Sequence, residues 1–319
     1  MHRFPRTPRH SPREALAVVL LVLACERSTP VGGRKDTVVP SVPLPESSIV
    51  VKPDASPWDS SAGPALFVAG SSPTEAFLIA PQYTHTAALD SVQPDSTLLR
   101  SLRIDLFGSG KKVGTARISS MAASARTDSC RTWPIARLEF ASGDTGSAQP
   151  WNVAFESGHA SEPVVDSIEG LPTADSAKLA ADIARIASAL PGDTSAVFRG
   201  LPFVVNKAWR AQLPNGQTLL ASVVVRNVNQ EANPRQERIL LIAERDSATT
   251  RFTPRYTDRK VGLEETLETT DPIAIVLLGV DRHPTVIIAR DAGNGLSYAL
   301  VERIAGQWQR RWASAYAGC

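Results

Sequence analysis

The sequence predicts an α+β fold that is predominantly antiparallel β, with one main amphipathic helix near residues 173–190. Short apolar runs recur at intervals of about ten residues between turn-forming residues, which is typical of antiparallel strands. The helix is predicted by four apolar residues at helical spacing, namely Leu179, Ile183, Ile186 and Leu190. Because 43% of the 319 residues are apolar, the chain can bury a substantial core.

The first half of the predicted body, residues 64–192, contains two candidate hairpins and two further strands ahead of the helix. The hairpin strands are predicted at 65–69 with 76–80 and at 98–107 with 112–119, and the further strands, joined by the loop 141–150, at 133–140 and 151–156. Thr173 is predicted as the N-cap of the helix, because its hydroxyl can accept a bond from a free N–H group of the first turn. Pro191-Gly192 is predicted to end the helix.

The second half, residues 193–319, is predicted as a series of antiparallel strands. Asn215-Gly216, a strong hairpin signal, lies between candidate strands at 203–213 and 217–228. A strand at 237–245 follows, and then a four-strand meander at 273–278, 285–290, 296–303 and 307–313. The helix marks the seam between the halves, which are compatible with one domain or with two.

The first 25 residues have the pattern of an exported protein. Ten uninterrupted apolar residues, 15–24, follow a basic segment that contains Arg3, Arg6, Arg9 and Arg13. This pattern predicts a secretory signal, since a membrane-spanning helix needs about 20 apolar residues. Without residues 1–24 the net charge falls from +2 to −1. The mature chain shows no clustered basic residues, and we therefore expect no nucleic-acid partner.

The residues that end the leader, Val22-Leu23-Ala24-Cys25, resemble the lipobox of bacterial lipoproteins. The resemblance implies that residues 1–24 are a cleaved signal peptide and that Cys25 carries palmitate-type acyl chains. It also implies a membrane partner through the lipid anchor, and a periplasm-facing place in the cell envelope. Glu26, where an Asp would favour inner-membrane retention, favours the outer membrane. The alternative is an ordinary cleaved signal that leaves Cys25 free or in a disulfide.

Residues 25–63 are predicted to be a disordered tether. The segment is rich in Pro and Ser, and such a composition cannot bury enough apolar surface to order itself.

The two remaining cysteines, Cys130 and Cys319, are predicted to form a disulfide bond. Exported compartments permit disulfides, and two thiols are an even number. The alternative is two unpaired thiols. We expect no metal and no cofactor, because no His or Cys lies at ligand spacing near either thiol. The turn at Asp291–Gly295 lacks the alternating carboxylates of calcium loops.

Catalytic motifs are weak in this sequence. Asp144-Thr145-Gly146-Ser147 spells the triplet of aspartic proteases, but that chemistry needs a second copy, which the sequence lacks. We therefore interpret the triplet as a surface loop. The mature chain has three histidines that are isolated in sequence, at His85, His159 and His283. If Asp144, His159 and His283 converge in the fold, they form a hydrolase site.

An aromatic pair near the C-terminus is the strongest candidate for a binding surface. Trp308, Arg310 and Trp312 alternate, so a regular strand would place all three on one face. Such a face can stack on sugars or peptides. The alternative is that these residues form an edge of the core.

The sequence therefore predicts a lipid-anchored, periplasm-facing lipoprotein that acts as a non-catalytic binding or scaffold module. Its expected partner is another envelope protein or peptidoglycan. The alternative functions are an envelope hydrolase and a purely structural lipoprotein.

Overall fold

The computed structural model describes residues 58–91, 95–123, 130–140, 150–192, 196–229 and 233–318. The leader with Cys25, residues 25–57 of the predicted tether, the triplet at Asp144 and Cys319 lie outside these residues. Antiparallel β structure dominates the described part, which confirms that element of the predicted fold class. All of these residues belong to one compact unit that spans Pro53–Cys319.

Sixteen strands and three α-helices make up the regular structure of the described residues. The strands are β1 (Leu66–Ala69), β2 (Glu75–Ile79), β3 (Arg103–Gly108), β4 (Lys111–Ala122), β5 (Ile135–Phe140), β6 (Val153–Glu156), β7 (Ala160–Ser161), β8 (Val164–Ser167), β9 (Val204–Gln212), β10 (Thr218–Val228), β11 (Arg235–Arg245), β12 (Thr253–Leu263), β13 (Thr269–Leu278), β14 (His283–Asp291), β15 (Leu296–Ile304) and β16 (Gln307–Ala313). The helices are α1 (Thr86–Ser91), α2 (Ser96–Leu99) and α3 (Thr173–Ala189).

The strands form a closed barrel and two open sheets. The barrel has the strand order β1-β2-β5-β4-β3-β6. The central sheet has the order β16-β15-β14-β13-β7, and the helix-side sheet has the order β12-β11-β10-β9-β8. Fully buried residues such as Phe67, Leu78 and Leu106 fill the barrel interior.

The central sheet is buried on both faces. Ile287 and Leu300 pack toward the barrel, together with Leu66 and Phe155. Their neighbours Val286 and Val301 pack on the opposite face against the helix-side sheet. A sheet covered on both faces has continuous apolar runs instead of alternating ones, which explains the apolar segments in β13 to β15.

Helix α3 covers the outer face of the helix-side sheet. Ile183, which is fully buried, packs there with Leu220 and Leu241. The layers of the body therefore follow the order helix, helix-side sheet, central sheet and barrel. The helix is confirmed as the main helix, but Thr173 is its first residue and not its N-cap. Pro172 occupies the N-cap position and makes no side-chain hydrogen bond there.

Several strand predictions are confirmed, and the four-strand meander corresponds to β13 to β16. The hairpin at Asn215-Gly216 joins β9 and β10, with Gly216 at a φ of 79° that favours glycine. The strand predicted at 98–107 is wrong in its first part, since α2 ends at Leu99 and β3 begins at Arg103.

Short or polar strands escaped prediction. β7 and β8 have two and four residues, and β12 is a polar edge strand. β7 pairs with β13 and β8 pairs with β9, so strands from residues 64–192 join both open sheets of the second half.

The end of the predicted tether belongs to the folded body. Trp58 packs edge-on against Trp312, with ring centroids 5.1 Å apart, and Ala62 is 1% exposed. Asp59 caps a short 3₁₀ helix at Ser60–Ala62 through a hydrogen bond from the Ser61 N–H group. The prediction that the tether extends to residue 63 is therefore wrong at this end, because tertiary contacts order residues 58–63.

Candidate functional site

A cavity of about 340 Å³ lies where three distant parts of the chain meet. They are the segment that enters β5, the turn between β14 and β15, and the end of the chain after β16. The terminal segment runs between the other two as an extra extended piece. The Arg131 N–H group donates to the Gly318 carbonyl oxygen over 3.0 Å, and the Leu296 N–H group donates to the Ala317 carbonyl oxygen over 2.8 Å. Backbone hydrogen bonds therefore hold one wall of the cavity.

Two glycines permit the close approach of backbones in this wall. A Cβ atom on Gly318 would collide with the Cα atom of Gly295 and with the carbonyl oxygen of Asn294. A Cβ atom on Gly295 would in turn lie 3.1 Å from the carbonyl oxygen of Ala317. Glycine at these positions therefore lets the terminal segment pack directly against the turn.

Aromatic side chains form the inner part of the cavity. Phe77, Trp133 and Tyr298 line it, and the rings of Trp133 and Tyr298 lie 6.4 Å apart. Burial raises the pKa of Tyr298 to about 12, so its hydroxyl keeps its proton at neutral pH. Trp133 and Tyr298 are each 4% exposed, so these rings form a largely closed apolar wall.

Trp133 carries an unsatisfied hydrogen-bond donor. The side chain is 4% exposed, and its buried Nε1 atom has no hydrogen-bond partner among the described residues. By contrast, four other indole N–H groups each donate a hydrogen bond, those of Trp58, Trp151, Trp308 and Trp312. A buried donor without a partner destabilises a protein by roughly 1–3 kcal/mol. The Nε1 atom has almost no accessible surface, so it lies behind the cavity wall and is not open to the cavity.

Polar side chains lie at the rim of the cavity. Arg131 contacts Asp90, with 3.1 Å between its Nε atom and the Asp90 Oδ1 atom. Asp291 accepts a 2.7 Å hydrogen bond from the Gly293 N–H group, and Asn294 is exposed. An apolar interior with a few polar groups at the rim is the usual form of a small-molecule site, and the volume lies within the roughly 300–1,000 Å³ of such sites.

The predicted surface of Trp308, Arg310 and Trp312 is wrong, because the two indoles lie in different cores. Trp312 pairs with Leu300 while Arg310 pairs with Val301, so β16 contains one extra residue at this point. This β-bulge reverses the alternation of side chains. Trp308 packs toward the helix-side sheet and is 6% exposed, whereas Trp312 packs toward the barrel and is 2% exposed.

The structure brings two of the three histidines to the same segment, and the third, His85, is exposed. The Nδ1 atom of His159 lies 2.8 Å from the Ser61 carbonyl oxygen, and its Nε2 atom lies 3.2 Å from a carboxylate oxygen of Glu156. His283 lies near the same place, since the Ser61 Oγ and His283 Cε1 atoms are both immediate neighbours of Gly279. Asp144, the third member of the predicted hydrolase site, lies outside the described residues.

Charges around His283 shift two pKa values in opposite directions. The carboxylate of Glu302, whose Oε2 atom lies 3.4 Å from Nε2, raises the pKa of His283, and Asp59 and Asp281 add to this effect. Burial alone would raise the pKa of Asp59. Hydrogen bonds from Ser61, with the positive charges of His283 and Arg311, lower it overall. The side chains of Asp59, Ser61 and His283 thus connect residues 58–63 to the turn between β13 and β14.

The described residues contain no group of three or more His, Cys, Asp or Glu side chains that could hold a metal ion. Within the same part of the chain, no helix has the length and apolar character needed to cross a bilayer.

Comparison with known proteins finds no matching family, no similar curated protein and no similar solved structure. The geometry of the described residues is therefore the basis for inferring function.

Sequence reasoning missed the aromatic cavity. Its lining comes from positions 77, 131–133, 291–298 and 317–318, which no local pattern connects. One weak signal is the cluster of small turn residues at 291–295, which resembles a calcium loop in length but lacks its alternating carboxylates.

Proposed function

We propose that this protein is a lipid-anchored, periplasm-facing lipoprotein whose folded body binds a small ligand in the aromatic cavity, without catalysis. The observation that carries the proposal is the cavity of about 340 Å³, which is lined by Phe77, Trp133 and Tyr298 and has polar groups at its rim.

The anchor is supported by the leader and by the length of the segment behind it. Cys25 ends an apolar run after four arginines, and Trp58 is the first described residue packed in the body. A proline-rich segment of the length that separates them would span roughly 100 Å if it extended at about 3.1 Å per residue. That reach suits a binding module for an envelope protein or for peptidoglycan, on the outer membrane in preference to the inner membrane.

A disulfide between Cys130 and Cys319 would reinforce the same cavity. Arg131 and Gly318, the residues beside them, form an antiparallel bridge that is part of the cavity wall. A bond between the two thiols would fix this wall covalently, so we propose that the disulfide preserves the shape of the site.

We assign the body to the α+β class. α3 lies on the outer face of the helix-side sheet and does not alternate with parallel strands. Helices segregated to one side of antiparallel sheets are the mark of this class.

Blocking the cavity tests the binding function. The full chain, solubilised in detergent, is mixed with soluble peptidoglycan fragments, and bound components are detected by saturation-transfer NMR. Leu296→Trp enlarges a side chain that lines the cavity, and Val164→Trp makes the same kind of change at an exposed position in β8. Binding that Leu296→Trp abolishes and Val164→Trp preserves supports the proposal. Equal binding by both variants, or no binding by the wild type, contradicts it.

Processing of the precursor tests the anchor. Globomycin inhibits the peptidase that cleaves lipoprotein leaders, so we expect the precursor to accumulate in treated cells. Replacement of Cys25 by Ala should have the same effect. Normal maturation under the inhibitor would contradict the lipoprotein assignment.

Hydrolysis is a second candidate function, favoured by one observation. His159 and His283 converge on the segment that contains Asp59 and Ser61, and charged neighbours raise the pKa of His283. A histidine poised in this way can act as a general base. If the protein cleaves peptidoglycan or a model ester, and His283→Asn abolishes cleavage while His85→Asn does not, catalysis replaces binding as the function.

A further inference from the structure

We propose that a second pocket, at the C-terminal end of α3, binds a monocarboxylate that carries an apolar group, with Arg259 as the residue that holds the carboxylate. This pocket is separate from the aromatic cavity, because it lies on the outer face of the helix-side sheet. Three properties of its described lining carry the inference, namely a surplus positive charge, accessible hydrogen-bond donors and an apolar rim.

The second pocket is formed where the end of α3 meets the sheet, and its volume is about 310 Å³. Its lining comes from the last turn of α3, from the loop at 200–203 that leads into β9, and from two arginines of the sheet, Arg226 on β10 and Arg259 on β12. Small-molecule sites have volumes of roughly 300–1,000 Å³, so a space near the lower limit suits one small organic group.

The two arginines share one carboxylate, that of Glu237. Arg226 donates through Nε to the Oε2 atom of Glu237 over 2.7 Å, and the Nε atom of Arg259 lies 3.3 Å from the Oε1 atom. No other acidic side chain forms an ion pair with either arginine in the described part of the chain. Two positive charges therefore face one negative charge, which leaves a surplus of one positive charge at the pocket.

Arg226 shapes the pocket but has little capacity left for a ligand. Its side chain is 8% exposed, and its Nη1 atom donates to the carbonyl oxygens of Phe198 and Leu201 over 3.0 and 3.3 Å. These hydrogen bonds hold the loop that forms one wall. Arg226 therefore contributes positive charge and positions the wall, whereas the contact with a ligand falls to Arg259.

Arg259 has donors that are open to the pocket. Its side chain is 20% exposed, and no hydrogen bond or ion pair among the described residues uses its Nη1 or Nη2 atom. Neither atom is one of the buried nitrogens that lack a hydrogen-bond partner, so both remain accessible. A guanidinium group offers parallel N–H groups that match the two oxygens of a carboxylate. The geometry at Arg259 therefore favours a carboxylate ligand.

The end of α3 favours a monoanion over a dianion. A helix C-terminus has a partial negative charge of about half an elementary charge. Ala187 and Ser188 of the last turn line the pocket, so this partial charge offsets part of the surplus positive charge. A carboxylate, with one negative charge, therefore suits the pocket better than a phosphate dianion does.

The rim of the pocket matches an apolar group next to the carboxylate. Leu201 is 36% exposed, and Leu190 and Pro202 line the pocket beside it. An apolar group of the ligand would remove this surface from water, which is favourable. Such a carboxylate is found at the C-terminus of a polypeptide and in free branched or aliphatic acids.

NMR titration of the nitrogen-15-labelled full chain, solubilised in detergent at mildly alkaline pH, tests this ligand class with four probes. N-acetylleucine has a carboxylate and an apolar side chain, N-acetylleucinamide lacks the charge, acetate lacks the apolar group, and inorganic phosphate is a dianion. We expect N-acetylleucine to bind about tenfold more tightly than each of the others, because it alone satisfies both Arg259 and the apolar rim. This comparison needs no variant, so it stands even if a substitution impairs folding.

A fifth probe separates the two sources of the carboxylate. Isocaproate has the carboxylate and the branched alkyl group of N-acetylleucine but no amide. Tighter binding of N-acetylleucine than of isocaproate would assign the site to a polypeptide C-terminus. Equal or tighter binding of isocaproate would assign it to a free acid, and the inferred ligand class holds in both cases.

Two matched variants on β12 locate the contact. Arg259→Gln removes the guanidinium group that lines the pocket, whereas Arg255→Gln removes one that lies 3.4 Å from the buried carboxylate of Glu244. Arg259→Gln should weaken N-acetylleucine binding about tenfold and abolish its preference over N-acetylleucinamide. Arg255→Gln should change neither by more than about twofold.

Several results would overturn the inference. They are an absence of N-acetylleucine binding, or binding of N-acetylleucinamide, acetate or phosphate as tight as that of N-acetylleucine. Unchanged binding in Arg259→Gln, or an equal loss in Arg255→Gln, would overturn it as well. The two pockets share no described lining residue, so these results are independent of the function proposed for the aromatic cavity.

Discussion

Arg131 and Gly318, which are separated by almost two hundred residues, face each other in an antiparallel bridge with a 3.0 Å hydrogen bond from the Arg131 N–H group to the Gly318 carbonyl oxygen. The contact joins the barrel to the end of the chain. It also brings the backbone next to Cys130 to the last described residue before Cys319, and it forms part of the cavity wall.

We predict from this bridge that Cys130 and Cys319 are linked in the exported protein. Peptide mapping under non-reducing conditions should find one cross-linked pair of peptides that separates on reduction. Replacement of either cysteine by Ser should lower the free energy of unfolding by roughly 2–5 kcal/mol, since a disulfide restricts the unfolded chain. Cys25→Ala is the control, and it should leave the linked peptides unchanged. Two unlinked thiols in the mature protein would contradict the prediction.

We predict that Trp58 is part of the stable body. The ring of Trp58 packs against Trp312, and its N–H group donates to the Gly63 carbonyl oxygen over 2.8 Å. Trp58→Ala should therefore lower the free energy of unfolding by roughly 1–3 kcal/mol in denaturant titrations. Ser60→Ala, at an exposed neighbour, should change it little. Rapid proteolysis within residues 58–63 of the wild type would show that these residues are not part of the body.

We predict that His283 stabilises the fold in a pH-dependent way. Its pKa is raised in the folded protein, chiefly by the neighbouring carboxylate of Glu302, above the ordinary value of about 6.5. The protonated ring is therefore favoured by folding, and its contribution is fully present below about pH 6.5. The contribution disappears as the pH rises through the higher folded value.

Denaturant titrations between about pH 5.5 and 9 would measure this dependence. The difference in unfolding free energy between wild type and His283→Asn should be largest at the acidic end and should shrink as the pH rises. His85→Asn, at an exposed position, is the control. A difference that grows with pH would mean that His283 is neutral in the folded protein.

We predict that a buried ion pair in the helix-side sheet depends on both of its members. Glu237 is 1% exposed and Arg226 is 8% exposed, with a 2.5 Å contact between Arg226 Nη2 and Glu237 Oε2. Arg226→Met leaves the carboxylate with Arg259 alone, whose Nε atom lies 3.3 Å from Oε1. The free energy of unfolding should fall by about 3–5 kcal/mol, because an underpaired buried charge is costly.

A double variant and a surface variant serve as controls for this pair. Arg226→Met combined with Glu237→Leu should regain most of the lost stability, since it removes both charges. Arg185→Met breaks an exposed ion pair with Asp182 and should cost at most about 1 kcal/mol. Equal losses in the single and the double variant would show that the pair is not coupled.

The sequence was informative where one local pattern determines the structure. The helical spacing from Leu179 to Ile186 places α3, and Asn215-Gly216 places the β9–β10 hairpin, because each signal lies within one element. β12 gave no such signal, since it is a polar edge strand that is ordered by its pairing with β11.

The candidate site could not be predicted from local sequence patterns, for a different reason. The spacing of Trp308 and Trp312 indicates one face, but a single extra residue in β16 reverses the alternation. The aromatic cavity depends on the approach of Trp133, Tyr298 and Gly318, which only the packing of the barrel on the central sheet brings together.

The most direct test of the cavity as a ligand site is the indole region of a nitrogen-15 NMR spectrum of the full chain. The chain has six tryptophans, and Trp133→Phe identifies the signal of the Trp133 N–H group by its loss. We predict that soluble peptidoglycan fragments shift this signal, because Trp133 lines the cavity, and leave that of Trp151 in place. An unmoved Trp133 signal under conditions in which a ligand binds would contradict the account.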